Sequence, residues 1–158
     1  MKPAAALALV ATLSGCEAPP APDRQPLPFS HRVHVEKSQI GCTMCHAYAE
    51  HSLVAGVPSM ARCVGCHKFV SKDKPDVQAL VKANDEGRAF EWVRVHRLPD
   101  HVYFTHERHV LAGLACQECH GPVEHMDVVR RVMPLTMGWC VDCHVQRGAS
   151  LDCLTCHK

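Results

Sequence analysis

Five times along this chain a Cys-x-x-Cys pair is followed at once by histidine: Cys42–Cys45–His46, Cys63–Cys66–His67, Cys116–Cys119–His120, Cys140–Cys143–His144 and Cys153–Cys156–His157. Two thiols at this spacing can bond to the two vinyl groups of a haem, and the adjoining imidazole reaches the iron from the tethered face. The pattern predicts five covalently attached haems c, with His46, His67, His120, His144 and His157 as proximal iron ligands. Four-cysteine zinc sites use the same pair spacing but need no histidine after each pair. A disulfide across two residues would close only a very small loop, which makes it a poor staple.

The opposite face of each iron needs its own ligand, and eight further histidines are available. Phe29-x-His31-x-x-His34 precedes the first attachment motif, and Phe104-x-His106-x-x-His109 precedes the third. Each spacing sets two imidazoles on one side of a helical turn, able to serve two different haems. His31, His34, His106 and His109 are therefore the expected distal ligands. His96, in an apolar stretch before a proline turn, is the expected fifth. His51, His101 and His125 are weaker candidates. Met126 and Met137 could supply a thioether to a higher-potential iron, although packing is the commoner role for methionine.

These groups imply an organisation. Residues 29–67 and 104–144 read as two copies of one unit, each with an aromatic, a His-x-x-His and two attachment motifs. In both, a histidine (His51, His125) stands five residues beyond the first motif. Residues 68–103 form an insert without a motif, and residues 145–158 carry the last motif alone. In the insert, Lys74-Pro75-Asp76 predicts a helix start with Asp73 as its cap, and Val77, Leu80 and Val81 share a face. Phe90–His96 reads as extended, and Leu98-Pro99-Asp100 as a turn. The expected fold is mainly α with much irregular chain, built around haem rather than around aliphatic side chains. Aromatic residues are only 5% of the sequence, too few for an ordinary core, and small domains of this kind need staples.

The N-terminus supplies the address. A lysine and a short apolar run lead to Leu13-Ser14-Gly15-Cys16. The run is too short to cross a bilayer, and residues 1–15 read as a lipoprotein signal peptide with Cys16 as the lipidated residue. Residues 16–28 then form a proline-rich tether. The expectation is an exported protein, lipid-anchored to a membrane and facing the periplasm. The formal charge of +1 gives no reason to expect nucleic acid. Haem propionates would make the loaded protein acidic, with Arg32, Arg94, Arg97, Arg130 and Arg131 as possible partners for them.

The repeated Phe-x-His-x-x-His and Cys-x-x-Cys-His units resemble the class III multihaem cytochromes, cytochromes c3 and c7. The chain is more similar still to the pentahaem subunit of bacterial alternative complex III. That resemblance rests on Phe29-Ser-His31-x-x-His34, Trp92-Val-Arg-Val-His96-x-Leu-Pro-Asp100, Tyr103-Phe-x-His106-x-x-His109, Pro134-Leu-x-Met-Gly-Trp139-Cys140 and the terminal Cys153-x-x-Cys156-His157. It covers nearly all of the chain after the tether. It implies electron transfer within a quinol:acceptor oxidoreductase of a respiratory or photosynthetic chain. The implied partners are an iron–sulfur subunit of molybdopterin-enzyme ancestry, polytopic quinol-binding membrane subunits, and a monohaem cytochrome c or terminal oxidase. The matched strings also imply His31, His34, His96, His106 and His109 as distal ligands. One departure is plain: a transmembrane anchor is expected at that subunit's N-terminus, and a lipobox-like signal stands here. Two further readings follow, a stand-alone membrane-tethered carrier and a multihaem reductase with one open iron.

Overall fold

The computed structural model describes residues 24–158. The expected signal peptide, the lipidation expected at Cys16 and most of the expected tether lie outside the described residues. Seven α-helices follow in order: α1 Cys42–Cys45, α2 Met60–His67, α3 Pro75–Asp85, α4 His106–Leu111, α5 Cys116–His120, α6 Met137–Arg147 and α7 Cys153–Cys156. A π-helical turn at Arg32–Lys37 and 3-10 turns at Ala47–Glu50 and Val123–His125 complete them. No strand occurs among the described residues. None of their helices is long and apolar enough to cross a membrane.

Every Cys-x-x-Cys pair lies on a helix, in α1, α2, α5, α6 and α7. A three-residue step brings both thiols to one face. The helix starts are fixed locally. The Asp152 side chain accepts from Leu154 N at 2.7 Å to start α7, and Thr136 Oγ1 accepts from Trp139 N to start α6. At α5 the Glu118 carboxylate reaches back to Ala115 N at 3.0 Å. Gly121, at φ +71°, ends α5, and a Cβ there would run into the Val132 side chain.

The insert differs from expectation in two details. Helix α3 begins on Pro75 as predicted, but its cap position is Lys74, with no side-chain cap bond from Asp73. Proline at the first helical position supplies the needed φ and has no N–H to satisfy. The run Phe90–His96 forms no ladder. Instead the Gln25 side chain clamps Val93, donating to its carbonyl at 3.0 Å and accepting from its N–H at 2.9 Å. The end of the tether is thus tied to the insert, and Phe29 meets Trp92 edge-on at 6.4 Å.

The aliphatic core is thin. Among the described residues the buried hydrophobic side chains are Ala49, Val64, Val77, Leu80 and Ala83, most of them where α2 meets α3. Apolar side chains on the motif-bearing helices stay exposed instead, including Met44, Val141, Val145 and Leu154. The two units are stitched at the backbone: His106 N donates to Leu53 O at 3.2 Å, and Glu107 N to Ser52 O at 3.1 Å. The C-terminus is held to the insert by Tyr103 N donating to Cys156 O at 2.7 Å.

Candidate haem sites

The histidines stand in facing pairs. Ring centroids are 6.4 Å apart for His31 and His46, 5.9 Å for His34 and His67, and 6.2 Å for His106 and His120. They are 6.1 Å apart for His109 and His144, and 5.8 Å for His101 and His157. Metal–nitrogen bonds of about 2 Å on each side, with the ring radii added, hold two imidazoles roughly 6 Å apart across one metal. Each pair contains one motif histidine, and each separation fits one iron.

The second ring nitrogen decides which atom faces the metal. Nδ1 of His46 donates to Gly56 O at 2.7 Å, His67 to Val70 O at 3.1 Å and His144 to Ser150 O at 2.6 Å. Nδ1 of His157 donates to His101 O at 3.2 Å and that of His106 to Leu53 O at 2.9 Å. In His34 and His109 the acceptor is the carbonyl four residues back, Ser30 and Thr105, at 2.8 Å in both. A proton held on Nδ1 leaves the Nε2 lone pair for a metal and fixes the ring's orientation. Burial and neighbouring imidazoles depress His31 and His120 to a pKa of about 4, so both are neutral donors at ordinary pH. The donor set therefore fits haem iron closed on both faces.

The two candidate units share the arrangement of aromatic and imidazole rings. Phe29 meets His31 edge-on at 4.9 Å and lies flat on His34 at 4.4 Å. Phe104 does the same to His106 and His109 at 4.9 and 4.5 Å. In each unit the first histidine faces the first motif and the second faces the second. The phenylalanine is the wedge that aims the two rings apart.

His96 meets a different geometry from the expected one. Its ring lies 4.4 Å from that of His120, at 80°, which leaves no room for an iron between them. The imidazole facing His157 is that of His101, on the turn after Pro99-Asp100. His96 stood out in the sequence because its neighbours are apolar, and that half-buried setting places it beside a histidine that already faces His106. The signal for His101 lies in position: it is the insert's last histidine, just before the segment that meets the C-terminus. Of the remaining candidates, His51 and Met137 are exposed, and His125 bonds Glu36 at 3.1 Å. Met126 offers its carbonyl to Arg32 N.

The attachment thiols are also neighbours. Cys45 lies within electrostatic reach of Cys63 and Cys66. Cys42 lies within electrostatic reach of Cys116. Cys119 lies within the same reach of Cys140 and Cys143, and Cys140 within that of Cys156. Numbered by sequence, the attachment sites follow one another in space as second, first, third, fourth, fifth. At one end, His67, Lys68, Lys72, Val81 and Lys82 line a cavity of about 710 Å³. Of the arginines considered for propionates, Arg32 pairs with Asp127 and Arg97 with Asp100, each at 3.2 Å.

Residues 102–158 match the family described as cytochrome c7 and related cytochrome c. Over 163 aligned positions the chain is 29% identical to the multihaem cytochrome c subunit of menaquinone reductase from Nitratidesulfovibrio vulgaris (strain Hildenborough). The alignment covers 85% of this chain and 77% of that protein. The mostly helical, cysteine-studded fold is a cytochrome c7-like multihaem one, which binds c-type haem covalently and carries electrons.

Proposed function

We propose that this chain is a pentahaem electron relay, serving as one subunit of a membrane complex that exchanges electrons with the quinone pool. The observation that carries the reading is the set of five imidazole pairs at metal-spanning separation, each with one attachment-motif histidine. The ligand pairs are His46 with His31, His67 with His34, His120 with His106, His144 with His109, and His157 with His101. Bound haem supplies reversible one-electron chemistry. The chain's part would be to hold each haem between one imidazole pair, leaving no place for substrate, and to fix the ten thiols near one another.

The neighbouring thiols support a relay that runs from the second site through the first, third and fourth to the fifth. The quinone-linked relative supports a place in such a complex, as does the resemblance to the pentahaem subunit of alternative complex III. The partners are then an iron–sulfur subunit of molybdopterin-enzyme type, polytopic quinol-binding subunits, and a monohaem cytochrome c or terminal oxidase as acceptor. Cys16, lipidated, would hold the chain to the periplasmic face of the membrane through its tether. The Leu13–Cys16 sequence also favours a second reading, a lone lipid-anchored carrier.

Mild detergent extraction of native membranes decides between them. The complex predicts that the cytochrome co-purifies with an iron–sulfur subunit and polytopic proteins, and that quinol reduces it or its reduced form is oxidised by quinone. A solitary lipoprotein, inert towards quinone and quinol, would contradict it.

A further inference from the structure

His96 is a half-buried histidine that the five ligand pairs leave unused. Its Nε2 is buried and has no hydrogen-bond partner among the described residues. Buried polar atoms are nearly always paired, so an orphan calls for a partner. The neighbouring ring supplies one. His120 lies 4.4 Å away, edge to face. Seven of the ten paired imidazoles donate Nδ1–H to a backbone carbonyl. His120 has no such acceptor among the described residues. The segment bearing His96 is held from outside, by the Gln25 clamp on Val93 and by Phe29 against Trp92. It is therefore placed to orient what it touches.

We propose that His96 is the positioning residue of the third haem site, its Nε2 accepting the Nδ1–H of His120 in the loaded protein. The inference rests on the reading above, in which His120 is a proximal ligand and His101, not His96, faces His157. With the ring centroids 4.4 Å apart, the two nitrogens are within reach of one hydrogen bond. The consequence is electronic. An imidazole that gives its outer proton to a good acceptor is a stronger donor to the metal. Stronger donation favours the ferric state, so this bond holds the third haem at a lower potential than it would otherwise have.

The test uses the full-length holoprotein with His96→Phe, which keeps a flat ring without an acceptor, and His96→Gln, which restores an oxygen acceptor. Each is examined by redox-titrated visible spectra and low-temperature electron paramagnetic resonance. The expected result for His96→Phe is five low-spin irons with the midpoint of one raised, and for His96→Gln a return towards wild type. Unchanged midpoints, or an equal shift in both variants, would overturn the acceptor role while leaving the ligand pairs standing. A high-spin iron in His96→Phe would instead make His96 a ligand and overturn the assignment of His101 as well. If the Phe variant fails to assemble, His96→Asn, too short to reach His120, takes its place with the same readings.

Discussion

Replacing His101 with alanine is expected to turn one of five low-spin irons high-spin and leave the other four unchanged. The geometry is specific: His101 faces His157 at 5.8 Å with rings 22° from parallel. The same turn accepts the His157 Nδ1 proton at the His101 carbonyl. Removing the imidazole would open the distal face without disturbing that backbone contact or the proposed covalent link through Cys153 and Cys156. The loss should appear as about one fifth of the low-spin resonance, together with new binding of an external ligand such as carbon monoxide by the reduced protein. Equivalent substitutions at His51 and His125 should change neither signal, because one is exposed and the other is engaged with Glu36. A His101→Ala protein with all its iron low-spin would show that another side chain fills that position.

The second large effect concerns folding. A chain made without haem attachment should be mostly disordered, with far-ultraviolet dichroism lacking most of the helical signal and rapid cleavage by proteases throughout residues 24–158. Two alanines, two valines and one leucine are all that the described residues bury among hydrophobic side chains. That burial falls far short of the conformational entropy lost in ordering such a chain. Five of the seven helices carry attachment thiols, and α1 and α7 are only four residues long, below any length stable by itself in water. Ligation therefore supplies folding energy as it does in small metal-dependent domains. The part of the haem-free chain with most to hold it is α2 against α3, where Val64, Val77, Leu80 and Ala83 are buried. Native-like helix content in the haem-free chain would refute this view of the core.

Much of the site could be read from the residues themselves. The motifs name the thiols and the imidazoles proposed as proximal. Phe29 and Phe104, each two residues ahead of the first histidine of a His-x-x-His, already describe a turn that splits two rings between two sites. The mainly helical fold and the start of α3 at Pro75 follow from local rules of the same kind. What could not be read depends on chain far apart in sequence. Pairing His101 with His157 requires the insert to fold back on the C-terminus through Tyr103 and Cys156. Apolar neighbours favoured His96, but burial alone does not say whether a histidine faces a metal or another histidine. Asp73 had the chemistry of a cap, but Pro75 opens the helix and the cap position falls one residue later, on Lys74. The order of the sites is likewise tertiary: nothing in the local sequence places Cys42 against Cys116.

The most direct test of the account is the intact mass of the mature holoprotein, taken together with its reduced-minus-oxidised spectrum. Five attachment motifs and five closed imidazole pairs predict a mass excess of five haems, a c-type difference spectrum and entirely low-spin iron. A colourless product, one carrying zinc, or one with fewer than five tetrapyrroles would contradict it.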